Sequence, residues 1–166
     1  MNQSIASLVQ TLSGLLEKSS IKIALAESCT GGLLAAHLTA QAGSSLWFDR
    51  GFVTYSNVSK TESIGVSSSI IEQYGAVSEE VAKAMAQGAL NHSAAKTSIA
   101  ITGIAGPGGS TENKPVGMVC FAWAVQFPGS PALLIASTQI FDGGRQAIRE
   151  HACAYALNEL IQILRK

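Results

Sequence analysis

Ile5, Leu8, Val9, Leu12, Leu15 and Leu16 recur three and four apart. That spacing places them on one face of a helix over residues 3–18. Residues 21–26 then read as a short, almost wholly apolar strand, and residues 30–40 as a helix that opens on the pair Gly31-Gly32. The β-favouring run Phe52-Val53-Thr54-Tyr55 predicts a second strand. Ser69 with Glu72 three residues on resembles a capping box, and Gly75 supplies a stop. Ser78 followed by Glu79 and Glu80 opens a helix reaching about Leu90, with acids where the helix dipole favours them. Residues 98–102 form a strand candidate, and residues 116–125 and 132–141 two more. Ile148, Ala152, Tyr155, Leu160 and Leu164 mark one side of a closing helix over residues 145–164.

Strands and helices are interleaved along the whole chain, which predicts an α/β fold with helices packed on a sheet. The last two strands are joined by the short turn Phe127-Pro128-Gly129-Ser130-Pro131, so part of that sheet is expected to be antiparallel. The same turn settles a second question. Residues 115–141 carry no charge and imitate a membrane span, but the turn divides them into two strand-length halves.

Composition narrows the partners. The 166 residues are the size of one compact domain, so residues 1–166 are read as a single unit. A hydrophobic fraction of 47% against 13% charged residues supports a large core and argues against disorder. The formal net charge is zero and no Lys/Arg cluster tracks a phosphate backbone, so nucleic acid is not an expected partner. A small ligand fits better, and the sparse surface charge points to contact with another copy, a homodimer or higher assembly. Cys29, Cys120 and Cys153 form no CxxC pair, which suits reduced thiols in the cytoplasm. His37, His92 and His151 lack metal-ligand spacing, and no basic, apolar leader precedes the first helix.

Three glycine- or hydroxyl-rich corners follow predicted strands, where α/β sheets bind ligands. The first is Glu27-Ser28-Cys29-Thr30-Gly31-Gly32. Ser28 there is either a helix N-cap or a nucleophile, with the Thr30 and Gly31 amides at the helix start available to an oxyanion. The second is Tyr55-Ser56-Asn57 leading to Lys60. Lys60 is either a solvated helix residue or, if buried and neutral, a base. The third runs from Thr102 through Gly103, Gly106, Pro107, Gly108 and Gly109 to Ser110. It is either a plain turn or a cradle of amides for an anion. Arg145 follows Gly143-Gly144 at the start of the last helix, a position suited to a phosphate and equally to an ordinary helix-end arginine. Cys29 is a second conceivable nucleophile, but with no histidine near it in sequence an inert thiol is the simpler reading.

Taken together, these corners, with Gly75-Ala76-Val77-Ser78 and Lys114-Pro115-Val116-Gly117, resemble the CinA C-terminal domain family in motif and in order over nearly the whole chain. The resemblance implies a three-layer α/β/α sandwich with a mixed central sheet. It implies hydrolysis of the carboxamide of nicotinamide mononucleotide to nicotinic acid mononucleotide and ammonia, with no metal and no cofactor. It assigns Ser28 as nucleophile, Lys60 as its base, and Tyr55 and Thr102 as further site residues. Members are often fused behind another CinA domain, and a chain of this length is expected to stand alone. The loop departs from the family's Gly-Pro-x-Gly-Gly pattern at Ser110. A left-handed backbone there would disfavour serine and weaken substrate binding. That position keeps open the alternative of a non-catalytic nucleotide- or partner-binding protein with the same fold.

Overall fold

A computed structural model describes residues 3–166. Five strands form one mixed sheet: β1 (Ile23–Glu27), β2 (Phe48–Val53), β3 (Thr97–Gly103), β4 (Met118–Val125) and β5 (Leu133–Ile140). Their spatial order is β2-β1-β3-β4-β5. β1 pairs in parallel with β2 and β3, whereas β4 runs antiparallel to both β3 and β5. The charge-free stretch is therefore a hairpin of two buried or half-buried strands, as its central turn predicts.

Six α-helices cover the two faces: α1 (Ile5–Lys18), α2 (Leu33–Thr39), α3 (Asn57–Ile64), α4 (Ser68–Tyr74), α5 (Glu79–Asn91) and α6 (Arg145–Leu164). The apolar stripe of α1 packs with α6 over one face of the sheet, in a core that holds Leu12, Leu16, Ile99, Phe121, Trp123 and Leu157. Trp123 donates its indole N–H to the Ala156 carbonyl on α6, so its polar atom is satisfied inside that core. α5 lies on the other face with α3 and α4, over small strand residues such as Ala24, Ala26, Ala100 and Ala122. Helices on both faces of one mixed sheet make the three-layer sandwich.

Most boundaries match the apolar spacing, and α6 spans the predicted residues. Ser78 caps α5 by accepting from the Val81 amide. Three local readings are corrected. The capping box at Ser69 and Glu72 does not form: α4 begins at Ser68, and Ser69 pairs its hydroxyl with that of Ser67. α2 begins only at Leu33, because Gly31 and Gly32 adopt left-handed backbone. The second strand ends at Val53, and after it comes α3, capped by Ser56, a helix that the apolar spacing does not mark. α3 seats against α5 at Gly88, where a methyl group would collide with the Ile64 carbonyl. Glycine is the residue that permits that approach.

Candidate active site

The three corners meet at the C-terminal ends of β1, β2 and β3. They enclose a cavity of about 290 Å³. Ser28, Tyr55, Lys60, Thr102, Gly106, Gly108, Gly109 and Arg145 all line it. Cys29, Asn57, Ala76 and Val77 line it as well. Thr30, Gly31 and Ser110 are not among its lining residues.

Lys60 sits on the inner face of α3 and is only 1% exposed. Its Nζ lies 3.2 Å from Ser28 Oγ, 2.8 Å from the Thr54 carbonyl and 3.4 Å from the Tyr55 carbonyl. Both carbonyls are presented because the chain leaves β2 at Val53 and turns into α3. No carboxylate pairs with Lys60 among the described residues. Burial accordingly lowers its pKa below the ordinary 10.5. A neutral amine has two N–H donors and one lone pair. Ser28 Oγ lies within reach of Nζ as an acceptor and donates to the Tyr55 carbonyl at 3.5 Å; in the neutral amine, with the donors given to the two carbonyls, the lone pair would face the Ser28 hydroxyl.

Ser28 is not a helix cap. Its own amide donates to Ile101 on β3, and its carbonyl accepts from the Gly31 amide. The cap of α2 comes from Glu27 instead. Its buried carboxylate accepts from the amides of Gly32, Leu34 and Ala35 at 2.8–3.1 Å. The Gly31 amide and the α2 N-terminus are thus already engaged, so the Gly31 amide is not free for the expected oxyanion contact. At this corner the amides of Cys29 and Thr30 bond to no other residue among the described residues, and the Cys29 amide faces its own thiol. The Thr30 hydroxyl is buried and also has no partner.

The remaining residues shape the walls. Thr102 donates to the Ala76 carbonyl at 2.8 Å and so fixes the neighbouring segment. Ser78 and Lys114 hold the two preceding carbonyls, Gly75 and Tyr74, at 2.7 and 2.8 Å. Arg145 bridges the rim, donating to the Gly106 carbonyl at 2.8 Å and to the Tyr55 hydroxyl at 3.1 Å. In the glycine loop, Gly106 and Gly109 have positive φ, whereas Ser110 does not. Serine therefore carries no backbone strain at Ser110. Sequence reading did not single out Arg149, which reaches from α6 to the Cys29 and Thr30 carbonyls and ties the Ser28 corner to that helix. Burial pushes the Cys29 thiol up to about 12, so it is protonated at neutral pH.

The fold and this cavity define a three-layer α/β protein with a serine and an unpaired buried lysine in contact. The sequence pattern of the CinA C-terminal domain matches residues 5–164, and the chain belongs to that family. It is 48% identical over 140 residues to the nicotinamide-nucleotide amidohydrolase PncC of Enterobacter agglomerans, covering 84% of this chain and 83% of that protein. It is 52% identical over 143 residues to a CinA-like protein of Mycolicibacterium paratuberculosis, of which it spans only 33% of the length while 86% of this chain is matched. The crystal structure of the competence/damage inducible protein CihA from Agrobacterium tumefaciens superposes with a TM-score of 0.89 at 40% identity, over 100% of both chains.

Proposed function

We propose that this chain hydrolyses the carboxamide of nicotinamide mononucleotide, releasing ammonia and nicotinic acid mononucleotide. The observation that carries the reading is the 3.2 Å contact between Lys60 Nζ and Ser28 Oγ inside a walled cavity. The similarity to PncC supports the substrate, and the contact supports the chemistry. Neutral Lys60 takes the Ser28 proton as Oγ attacks the carboxamide carbon. The oxyanion that forms is held by the Cys29 amide, beside Ser28 on the cavity wall. Collapse of the tetrahedral intermediate breaks the C–N bond, and Lys60 returns its proton to the departing ammonia. Water then attacks the acyl-serine as Lys60 takes its proton, collapse of the second tetrahedral intermediate breaks the C–Oγ bond, and Lys60 returns that proton to Ser28 Oγ as the acid leaves.

Tyr55 supplies its carbonyl to hold the lysine, while its phenol, bonded to Arg145, closes the rim. Arg145 and the amides of the Gly106–Gly109 stretch face the nucleotide phosphate. The chemistry requires neither metal nor cofactor. The unstrained backbone at Ser110 removes the feature that favoured a binding-only protein. Three free, buried thiols suit a reducing cytoplasm.

The test is ammonia release from nicotinamide mononucleotide by the wild type, Ser28→Ala and Lys60→Ala. Turnover by the wild type and a loss of about a thousandfold or more in each variant is the expected result. A Ser28→Ala protein that still turns over, or tight nucleotide binding without ammonia from the wild type, would overturn it.

A further inference from the structure

Two walls of the cavity come from segments outside the helices and strands. One is residues 75–77, between α4 and α5, where Ala76 and Val77 face the cavity. The other is the loop from β3 to β4, which brings Gly106, Gly108 and Gly109 to it. The first wall is held by its carbonyls. Those of Tyr74, Gly75 and Ala76 accept in turn from Lys114 Nζ, Ser78 Oγ and Thr102 Oγ1, at 2.8, 2.7 and 2.8 Å. Ser78 belongs to the cap of α5 and Thr102 to β3, whereas Lys114 comes from the opposite wall.

That opposite wall is fastened only at its two ends. At one end Arg145 holds the Gly106 carbonyl. Residues 107–113 are all exposed, and residues 107–110 make no hydrogen bond among the described residues. At the other end Thr111 and Lys114 exchange backbone bonds of 2.9 and 3.3 Å, which ties Lys114 to the outer part of the loop. Its side chain then crosses to the first wall. Nζ sits so close over Gly75 that a β-carbon there would lie 2.9 Å from it. Gly75 has φ +80°, so glycine serves both the backbone and the lysine. Lys114 has no carboxylate partner among the described residues, and the Tyr74 carbonyl alone sets where its side chain ends.

We propose that Lys114 is a positioning residue for the substrate, which fixes the width of the cavity by fastening the glycine loop to the 74–77 segment. The assignment rests on the amidohydrolase reading above. Ala76 is bonded to Thr102, next to the Ile101 carbonyl that holds Ser28, so its wall flanks the reacting end of the substrate. The glycine loop flanks the phosphate end. A loop ordered in advance costs the substrate less to bind, and that saving appears in affinity. Lys114 makes no contact with Ser28 or Lys60, so the chemical step does not depend on it.

Lys114→Met and Lys114→Arg test the assignment. The methionine variant is expected to raise KM about tenfold, for nicotinamide mononucleotide and its phosphate-free nucleoside alike, with kcat nearly unchanged. Arginine keeps a donor at that reach and should recover most of the loss. Hydrogen exchange of the substrate-free protein should show residues 105–113 exchanging faster in Lys114→Met and near the wild-type rate in Lys114→Arg, with α1 and β4 unchanged as evidence of an intact fold. An unchanged KM, a fall in kcat alone, or wild-type exchange in the methionine variant would overturn the proposal. A wild type that releases no ammonia would overturn the amidohydrolase reading instead, and exchange would still decide whether Lys114 fastens the loop.

Discussion

Replacing Lys60 by methionine keeps most of the unbranched apolar stem and removes the amine. In the native protein that amine is buried and has no carboxylate partner among the described residues. The variant loses the bond to the Thr54 carbonyl, a net cost of about 1 kcal/mol that does not vary with pH. It also loses the penalty of keeping an ammonium ion out of water, and that gain does vary with pH. Because burial lowers the folded-state pKa, the unfolded chain binds more protons than the native one between that value and 10.5. Wild-type stability must rise with pH across that window and level off above it. Below the folded-state pKa both states are protonated, and the full penalty stands. The slope has a ceiling of one proton, about 1.4 kcal/mol per pH unit, or about 3–5 °C in Tm for a chain of this size. Thermal melts of the wild type and Lys60→Met from pH 7 to about pH 10.5 should therefore converge, the variant's advantage shrinking as pH rises. The acid limb of wild-type kcat/KM should fall in the same window. Parallel melting curves over the whole range would show that Lys60 ionises like a solvated lysine, and the base assignment would fail with it.

Cys29→Ala should retain near-normal kcat for ammonia release, because a thiol pushed up to about 12 supplies no thiolate at neutral pH; a variant as dead as Ser28→Ala would reassign the nucleophile. Glu27→Ala leaves three helix amides unpaired in a buried corner and should cost about 3 kcal/mol or more in urea unfolding, against under 1 kcal/mol if the carboxylate were solvated. Arg145→Lys loses the bridge between Gly106 and Tyr55 and should raise KM for the nucleotide about tenfold while leaving KM for the phosphate-free nucleoside nearly unchanged. Equal effects on both would place Arg145 away from the phosphate.

What the sequence made legible was set by spacing. The stripe from Ile148 to Leu164 located α6, and the proline-glycine turn at 127–131 split a span-like run into β4 and β5. α3 escaped because its inward face is made by Lys60 and Ile64, so a polar residue occupies a core position and hides the helical period. Glu27 escaped for a different reason. Its carboxylate reaches amides five to eight residues on, beyond any local capping motif. Arg149 acts on carbonyls 119 and 120 residues away, a relation that only the packing of α6 beside the first corner creates. The motifs thus identified which side chains would gather. The directions of their backbone amides, which leave Gly31 bonded to the Ser28 carbonyl, depend on turns that a list of residue types does not encode.

Gly88 has a reach beyond its own helix. Ile64 stands one turn after Lys60 on the same face of α3, so the notch that admits Ile64 also sets how far the amine descends toward Ser28. α5 lends no group to the cavity, yet a bare α-carbon on it helps set the depth at which the Lys60 amine sits. Tuning of this chemistry can therefore arise behind the sheet, at a position that no substrate ever meets.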